Sequence, residues 1–317
     1  MATGETTSTH TYAEDPRSAD VLVDVRGELV RRPEATVSVL DAGFVLGDGI
    51  WEGLRLHEGR VAFLDRHLDR LLDGARAIHL DLEAAGLTRE HLTERLTRVL
   101  AANGMWDGVH VRLMVTRGLK TTPYQSPAAT VGGPTVVILP EWKDPTPDVY
   151  TRGLSLFTVH VRRGRPDVQD PFLNTHSKHN CIQACIQAAE AGADEALMLD
   201  PHGFVATCNS THFFMVRGDE LWTSSGRYCL DGITRRVLCE VGADLGLTVR
   251  EHDFSLAQVY AADEAFVTGT FAGAVSVGSV DGRTLPGPFP APVTARLQAA
   301  YRERVLAEPL LPGLEKP

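Results

Sequence analysis

Two α+β domains are what the sequence predicts, on three observations. Strand-like apolar runs alternate with amphipathic helices along nearly the whole chain. A segment that mixes prolines with charges, residues 141–150, falls between two apolar strand runs and reads as a linker. The length of 317 residues and a hydrophobic fraction of 43% suit one large or two medium cores.

In chain order, residues 1–18 are Thr-rich and acidic and read as a flexible tail without a targeting signal. The N-terminal domain, 19–140, opens on strands over Val21 to Val25 and Ala35 to Leu40. A helix is predicted from Leu64 to His79, because Leu64, Leu68, Leu71, Leu72, Ala75 and Ile78 recur on one face. A second helix follows over Arg89 to Asn103, then strands over Val109 to Val115 and Thr135 to Leu139, the latter ended by Pro140. Beyond the linker, the C-terminal domain, 151–308, begins with a strand at Leu154 to Val161 and a helix at Lys178 to Ala191. Strands follow at Glu195 to Leu199, Phe204 to Thr207, Phe213 to Val216, Leu221 to Thr223 and Ala265 to Val267. Helices are predicted over Thr234 to Leu245 and Pro292 to Leu306, and 309–317, with three prolines, reads as a second tail.

Composition excludes several classes. A formal charge of −10 without any Lys/Arg cluster argues against nucleic-acid binding. No apolar run is long enough to span a membrane. The five cysteines are odd in number and lack zinc-finger spacing, so free thiols in a reducing, cytoplasmic setting are expected and no metal is. Cys181 and Cys185, four apart on a predicted helix, read as small apolar residues rather than ligands.

Two features carry chemistry. The chain has four lysines, Lys120, Lys143, Lys178 and Lys316, against 27 arginines. Lys178, in Asn174-Thr175-His176-Ser177-Lys178-His179-Asn180 between a strand and a helix, therefore stands out, since an amine condenses with an aldehyde and a guanidinium does not. The plainer reading is a first-turn helix residue facing water. The second feature is a pair of turns, Leu230-Asp231-Gly232-Ile233-Thr234 and Thr268-Gly269-Thr270-Phe271-Ala272-Gly273. The first opens a helix, whose free amides and dipole favour an anion, and the second lets backbone approach a ligand closely. Each turn alone is also what an ordinary helix cap looks like.

In order, these segments resemble the class IV aminotransferases of fold type IV, which include branched-chain and D-amino-acid transaminases. The resemblance runs from Val21 to Tyr301. It rests on Gly47-Asp48-Gly49-Ile50-Trp51-Glu52-Gly53-Leu54-Arg55, on His67-Leu68-Asp69-Arg70-Leu71, on Asp194 to Asp200, on Gly232-Ile233-Thr234-Arg235 and on Ala262 to Thr270. It implies a smaller N-terminal domain and a larger C-terminal one with a barrel-like sheet. The cofactor implied is pyridoxal 5'-phosphate, the substrates an amino acid and a 2-oxo acid, and the assembly a homodimer. It assigns the cofactor phosphate to Arg70, Gly232, Ile233, Thr234, Gly269 and Thr270, and the substrate side to Trp51, Arg55, Arg112 and Arg117.

Two departures fall at the chemical centre. Aligned without gaps from Glu195, the family's Schiff-base lysine falls on Asn174, and Lys178 lies one helical turn later, about 6 Å along a helix. The family's glutamate against the pyridine nitrogen is replaced by Thr207, which weakens the ring as an electron sink. The expectation is therefore an aminotransferase with Lys178 as its catalytic amine. The alternatives are a lyase on the same cofactor, or a divergent protein that binds an anion without a Schiff-base lysine. Cofactor-free chemistry at His176, His179 or Cys208 is a further reading.

Overall fold

The computed structural model describes Thr9 and residues 12–317. The chain divides into two compact units. One holds Ala13–Asp144, Asn174–Ser177 and Val305–Pro317; the other holds Pro145–Leu173 and Lys178–Arg304, together with Thr9 and Tyr12.

In the first unit the strands β1 (Leu22–Val25), β2 (Glu28–Arg31), β3 (Gly49–His57), β4 (Arg60–Val61) and β5 (Val109–Thr116) join β8 (Thr135–Trp142) in one sheet. The order is β2-β1-β8-β5-β3-β4. Between β5 and β8 a small hairpin, β6 (Leu119–Lys120) with β7 (Thr130–Val131), stands apart. A short helix α1 (Ala42–Leu46) precedes β3, and α2 (Leu64–Ala77) and α3 (Arg89–Ala102) complete the unit. Alternation along the strands explains the packing: Leu54, Leu56, Val109, Val111, Leu113, Val115, Val136 and Ile138 point into the core, where Leu68 and Leu71 of α2 and Leu92, Leu96 and Val99 of α3 meet them. The opposite face carries Trp51, Arg55 and Arg112, in register across β3 and β5, which positions the candidate substrate side chains.

Three expectations are corrected here. Residues 35–40 form no strand, and Val37, Val39 and Leu40 are exposed instead. The strand expected to end before Pro140 continues through it to Trp142, because β1 pairs β8 only at Val137 and Ile138, so the ladder loses no donor at the proline on that side. The C-terminal tail is part of this core: Leu311 and Leu314 are buried in it, and the Leu311 amide donates to the Gly59 carbonyl. Of the expected N-terminal tail, residues 1–8, 10 and 11 lie outside the described residues; Pro16–Asp20 forms a 3-10 turn with Ser18 buried, and Thr9 is buried.

Gly59 shows how tight this closure is. Its φ is +75°, and a Cβ there would press on the Trp106 ring, 2.6 Å from Cζ3 and 2.7 Å from Cζ2. Gly59→Ala is expected to cost about 2 kcal/mol by combining overpacking with left-handed strain. Urea unfolding reads this directly, and an unchanged midpoint would contradict it.

The second unit is built on a nine-stranded sheet that curls as a half-barrel. After the short helix α4 (Asp148–Thr151) come β9 (Leu154–Thr158), α5 (His179–Glu190), β10 (Glu195–Leu199), β11 (Val205–Cys208), β12 (His212–Arg217) and β13 (Glu220–Thr223). Then follow α6 (Ile233–Asp244), β14 (Thr248–Glu251), α7 (Leu256–Val259), β15 (Glu264–Gly269), β16 (Gly273–Val280), β17 (Arg283–Thr284) and α8 (Pro292–Ala307). The order is β11-β10-β9-β16-β15-β12-β13-β14, with β17 on β16. The sequence reading missed β16: its small residues, GAVSVGSV, give no alternation, and it forms because β9 and β15 flank it on both sides. The linker reading is revised too, since Glu141 and Trp142 end a strand and Asp148–Thr151 is helical. No helix among the described residues is long and apolar enough to cross a membrane.

Candidate functional site

In the second unit, α6 begins after Gly232, and no side chain caps its N terminus, so the first amides of Ile233 and Thr234 are presented as helix-end donors. At the end of β15, Gly269 is half-exposed, and a Cβ there would meet only Thr211 Cγ2 at 3.6 Å, so backbone is approachable. Thr270 follows in the turn. Thr268, fully buried just before them, has a hydroxyl with no hydrogen-bond partner among the described residues. Uncapped amides, an open glycine and an orphaned buried hydroxyl are the donor set of an anion cup, and they fit the phosphate end of pyridoxal phosphate.

Thr207, on β11, is tied to this cup through Thr211. Its hydroxyl donates to the Thr211 carbonyl at 2.8 Å, and Thr211 in turn donates its own hydroxyl to Glu195 at 2.6 Å. Thr207 has one proton and has spent it, so toward a ring nitrogen it can only accept. Glu195 is fully buried; burial pushes its carboxyl up, against the hydrogen bonds from Thr211 and Thr9.

Lys178 is half-buried and precedes the first residue of α5, with its carbonyl accepting from the Ile182 amide. Asn174 does not stand in for a lysine: it is buried, pairs with β3 through Trp51, and its amide nitrogen donates to the Trp51 carbonyl at 2.6 Å. The cofactor-free readings lose their groups. The His176 ring bonds the Ile50 carbonyl and His179 bonds Gln183, while burial pushes the Cys208 thiol well above its ordinary value.

In the first unit the expected substrate residues separate into two kinds. Arg112 stacks its guanidinium 3.9 Å over the Trp51 ring and keeps an exposed edge. Desolvation lowers its pKa while Glu141 opposes the shift. Arg55 is buried, and donates to the Lys143 carbonyl and to Asp144. Arg117 donates to both oxygens of Asp48, at 2.6 and 3.1 Å, and to the carbonyls of Ile78 and His79. Arg55 and Arg117, which the resemblance places on the substrate side, thus both hold ion pairs within their own unit.

Arg70 lies on α2. It donates to Glu52 at 2.8 and 2.6 Å, and His67 Nδ1 lies 2.6 Å from the same carboxylate. Burial raises the Glu52 carboxyl, but Arg70 and His67 outweigh it and hold the group below its ordinary value. Sequence reasoning missed two participants, Glu52 and Thr211. Only Glu52 carried a signal, as an acid inside an otherwise apolar strand.

A half-barrel with an uncapped helix end and a Gly-Thr turn at neighbouring strand ends defines a mixed α/β protein with a candidate anion-binding site. The chain belongs to the class IV aminotransferase family: the family model described as amino-transferase class IV matches residues 49–280. The branched-chain-amino-acid aminotransferase-like protein 2 of Arabidopsis thaliana is 40% identical over 288 residues, covering 91% of this chain and 51% of the plant protein. The chain thus spans about half the length of the first curated relatives it matches. A branched-chain-amino-acid aminotransferase of Pseudomonas aeruginosa is 30% identical over 287 residues, covering 88% of this chain and 91% of its own length. Among solved structures, the branched-chain aminotransferase of the thermophilic archaeon Thermoproteus uzoniensis with norvaline superposes with a TM-score of 0.80 at 29% identity, covering 91% of this chain and 95% of that one.

Proposed function

We propose that the protein is a pyridoxal-phosphate-dependent aminotransferase moving an amino group between a branched-chain-like or D-amino acid and a 2-oxo acid. The observation that carries this reading is the anion cup of Ile233, Thr234, Gly269 and Thr270 around the orphaned Thr268 hydroxyl. When bound, the cofactor supplies an aldehyde that accepts the amino group and a ring that withdraws electrons from the substrate α-carbon. The cup holds the phosphate and so orients the aldehyde. Lys178 Nζ would be the amine that meets the cofactor aldehyde, and the base that would take the proton from the substrate α-carbon. Thr207, whose hydroxyl proton goes to the Thr211 carbonyl, would meet a ring nitrogen only as a neutral acceptor, a weaker partner than a carboxylate. Trp51 supplies an apolar wall, and Arg112, stacked on it, a cation for a substrate carboxylate. A homodimer is carried by the resemblance, and an exposed apolar run, Val37, Val39, Leu40 and Phe44, is the kind of patch a second copy would cover.

The test is to load the purified protein with pyridoxal phosphate, add single amino acids, and follow conversion of the aldehyde form to the amine form by absorbance. Conversion with a branched-chain or D-amino acid supports the reading; no conversion with any donor overturns it. Within the cup, Thr270→Ala is expected to weaken pyridoxal phosphate about tenfold, the worth of one hydrogen bond to a charged group, and to leave unphosphorylated pyridoxal unaffected. Titration with both compounds checks it.

A further inference from the structure

His212 occupies the junction at which the cup is assembled, and nothing in the proposed chemistry uses it. It opens β12 directly after Thr211, and its Nε2 lies 2.8 Å from the Leu230 carbonyl. A carbonyl only accepts, so Nε2 carries the proton and donates. Leu230 lies in the turn that leads into α6, and Gly232 is the residue before its first turn. A Cβ at Gly232 would collide with the imidazole, coming within 2.8 Å of Nδ1 and 2.9 Å of Nε2. The ring therefore occupies the space a side chain would take, directly beneath the turn.

Across the sheet His212 pairs with Thr268. Residues directly opposed on neighbouring strands share a face, so the Thr268 side chain stands on the face that carries the imidazole and the turn. Thr268 is fully buried, and its hydroxyl has no hydrogen-bond partner among the described residues. Leaving such a group without a bond carries a desolvation penalty, which an anion accepting its proton would recover.

We propose that His212 and Thr268 form the floor of the anion cup. His212 is a positioning residue: its Nε2–H ties the Leu230–Gly232 turn to β12, and so aims the first amides of α6. Thr268 donates its hydroxyl to the phosphate that those amides face. This inference rests on the cofactor reading above; it adds His212, which that reading did not include, and gives the Thr268 hydroxyl its place in the floor.

The experiment titrates wild type, His212→Leu, His212→Gln and Thr268→Val with pyridoxal phosphate, with unphosphorylated pyridoxal, and with inorganic phosphate as competitor, read by absorbance and fluorescence. Leucine fills the space without a donor; glutamine restores a terminal N–H at a reach close to Nε2. H212L is expected to weaken pyridoxal phosphate and inorganic phosphate about tenfold or more, with pyridoxal within about twofold, and H212Q to recover most of the loss. T268V removes an unsatisfied group, so it should keep the wild-type melting temperature and still lose about tenfold in affinity for both phosphates. H212L that binds like wild type, H212Q no better than H212L, or loss of pyridoxal in step with its phosphate overturns the role of His212. Should H212L fail to fold, T268V binding like wild type overturns the floor by itself. Wild-type protein that takes up neither phosphate compound overturns the cofactor reading, a failure visible without any variant.

Discussion

Lys178→Ala is expected to abolish the borohydride-trapped adduct with pyridoxal phosphate and to lower amino transfer by about a thousandfold or more. The magnitude follows from losing both the covalent link and a general base, the latter alone worth about 10²–10⁴-fold. Lys178 is the only lysine in the segment where the family resemblance places its catalytic amine, and it is half-buried at the start of α5. Asn174→Ala is the companion variant. Because the Asn174 amide is committed to the Trp51 carbonyl, its loss should loosen the strand pairing with β3 yet leave the adduct on Lys178. Peptide mapping after reduction separates the outcomes. A label on Lys178 in the wild type and none in K178A supports the assignment. A label on Lys143 or Lys120, or full activity in K178A, would falsify it.

Glu52→Gln is expected to destabilise the N-terminal unit by about 3–5 kcal/mol, since it keeps the shape of the side chain and leaves the buried His67 and the half-buried Arg70 without their counter-charge. Equilibrium urea unfolding at neutral pH measures it, and a change within about 0.5 kcal/mol, typical of surface substitutions, would sink the idea. The pH dependence has a definite sign. The Glu52 carboxyl is held below its ordinary value of 4.5, so its contribution is fully present above that pH and disappears as pH falls through the lower folded value. The gap between wild type and E52Q should therefore be widest near neutrality and close in acid.

Arg70 is caught between these two predictions. The family resemblance assigns it to the cofactor phosphate, while the structure shows its guanidinium already bonded twice to Glu52. Glu52 fixes the orientation of the Arg70 guanidinium within its own unit.

Much of the fold was legible because its signals are local. The 3.6-residue spacing of Leu64, Leu68, Leu71 and Ala75 yields α2, and the run of apolar residues at Glu195 to Leu199 yields β10, whatever the rest of the chain does. The turns at Gly232 and Gly269 were equally readable, since a helix end and a small-residue loop present donors by backbone geometry alone. Strand β16 was not, because its sequence has neither alternation nor bulk and it exists only between its neighbours. The extension of β8 through Pro140 depended likewise on which side of the strand had a partner.

For the site, the order of residues along the chain supplies an inventory: a single lysine in the critical segment, an asparagine and a threonine at two chemical positions, and the phosphate-type turns. Which of those residues are available is settled by folding. Arg55 and Arg117 bond partners 89 and 69 residues away, Asp144 and Asp48, which no local pattern announces. His212 drew no notice in the sequence, and Thr268 stood only as the first residue of a Gly-Thr turn, until β12, β15 and α6 met around them. One cause underlies each case. Helix and turn formation is governed by near neighbours, whereas the use of a charge or a proton depends on what burial brings within hydrogen-bond reach, and that is a property of the folded chain.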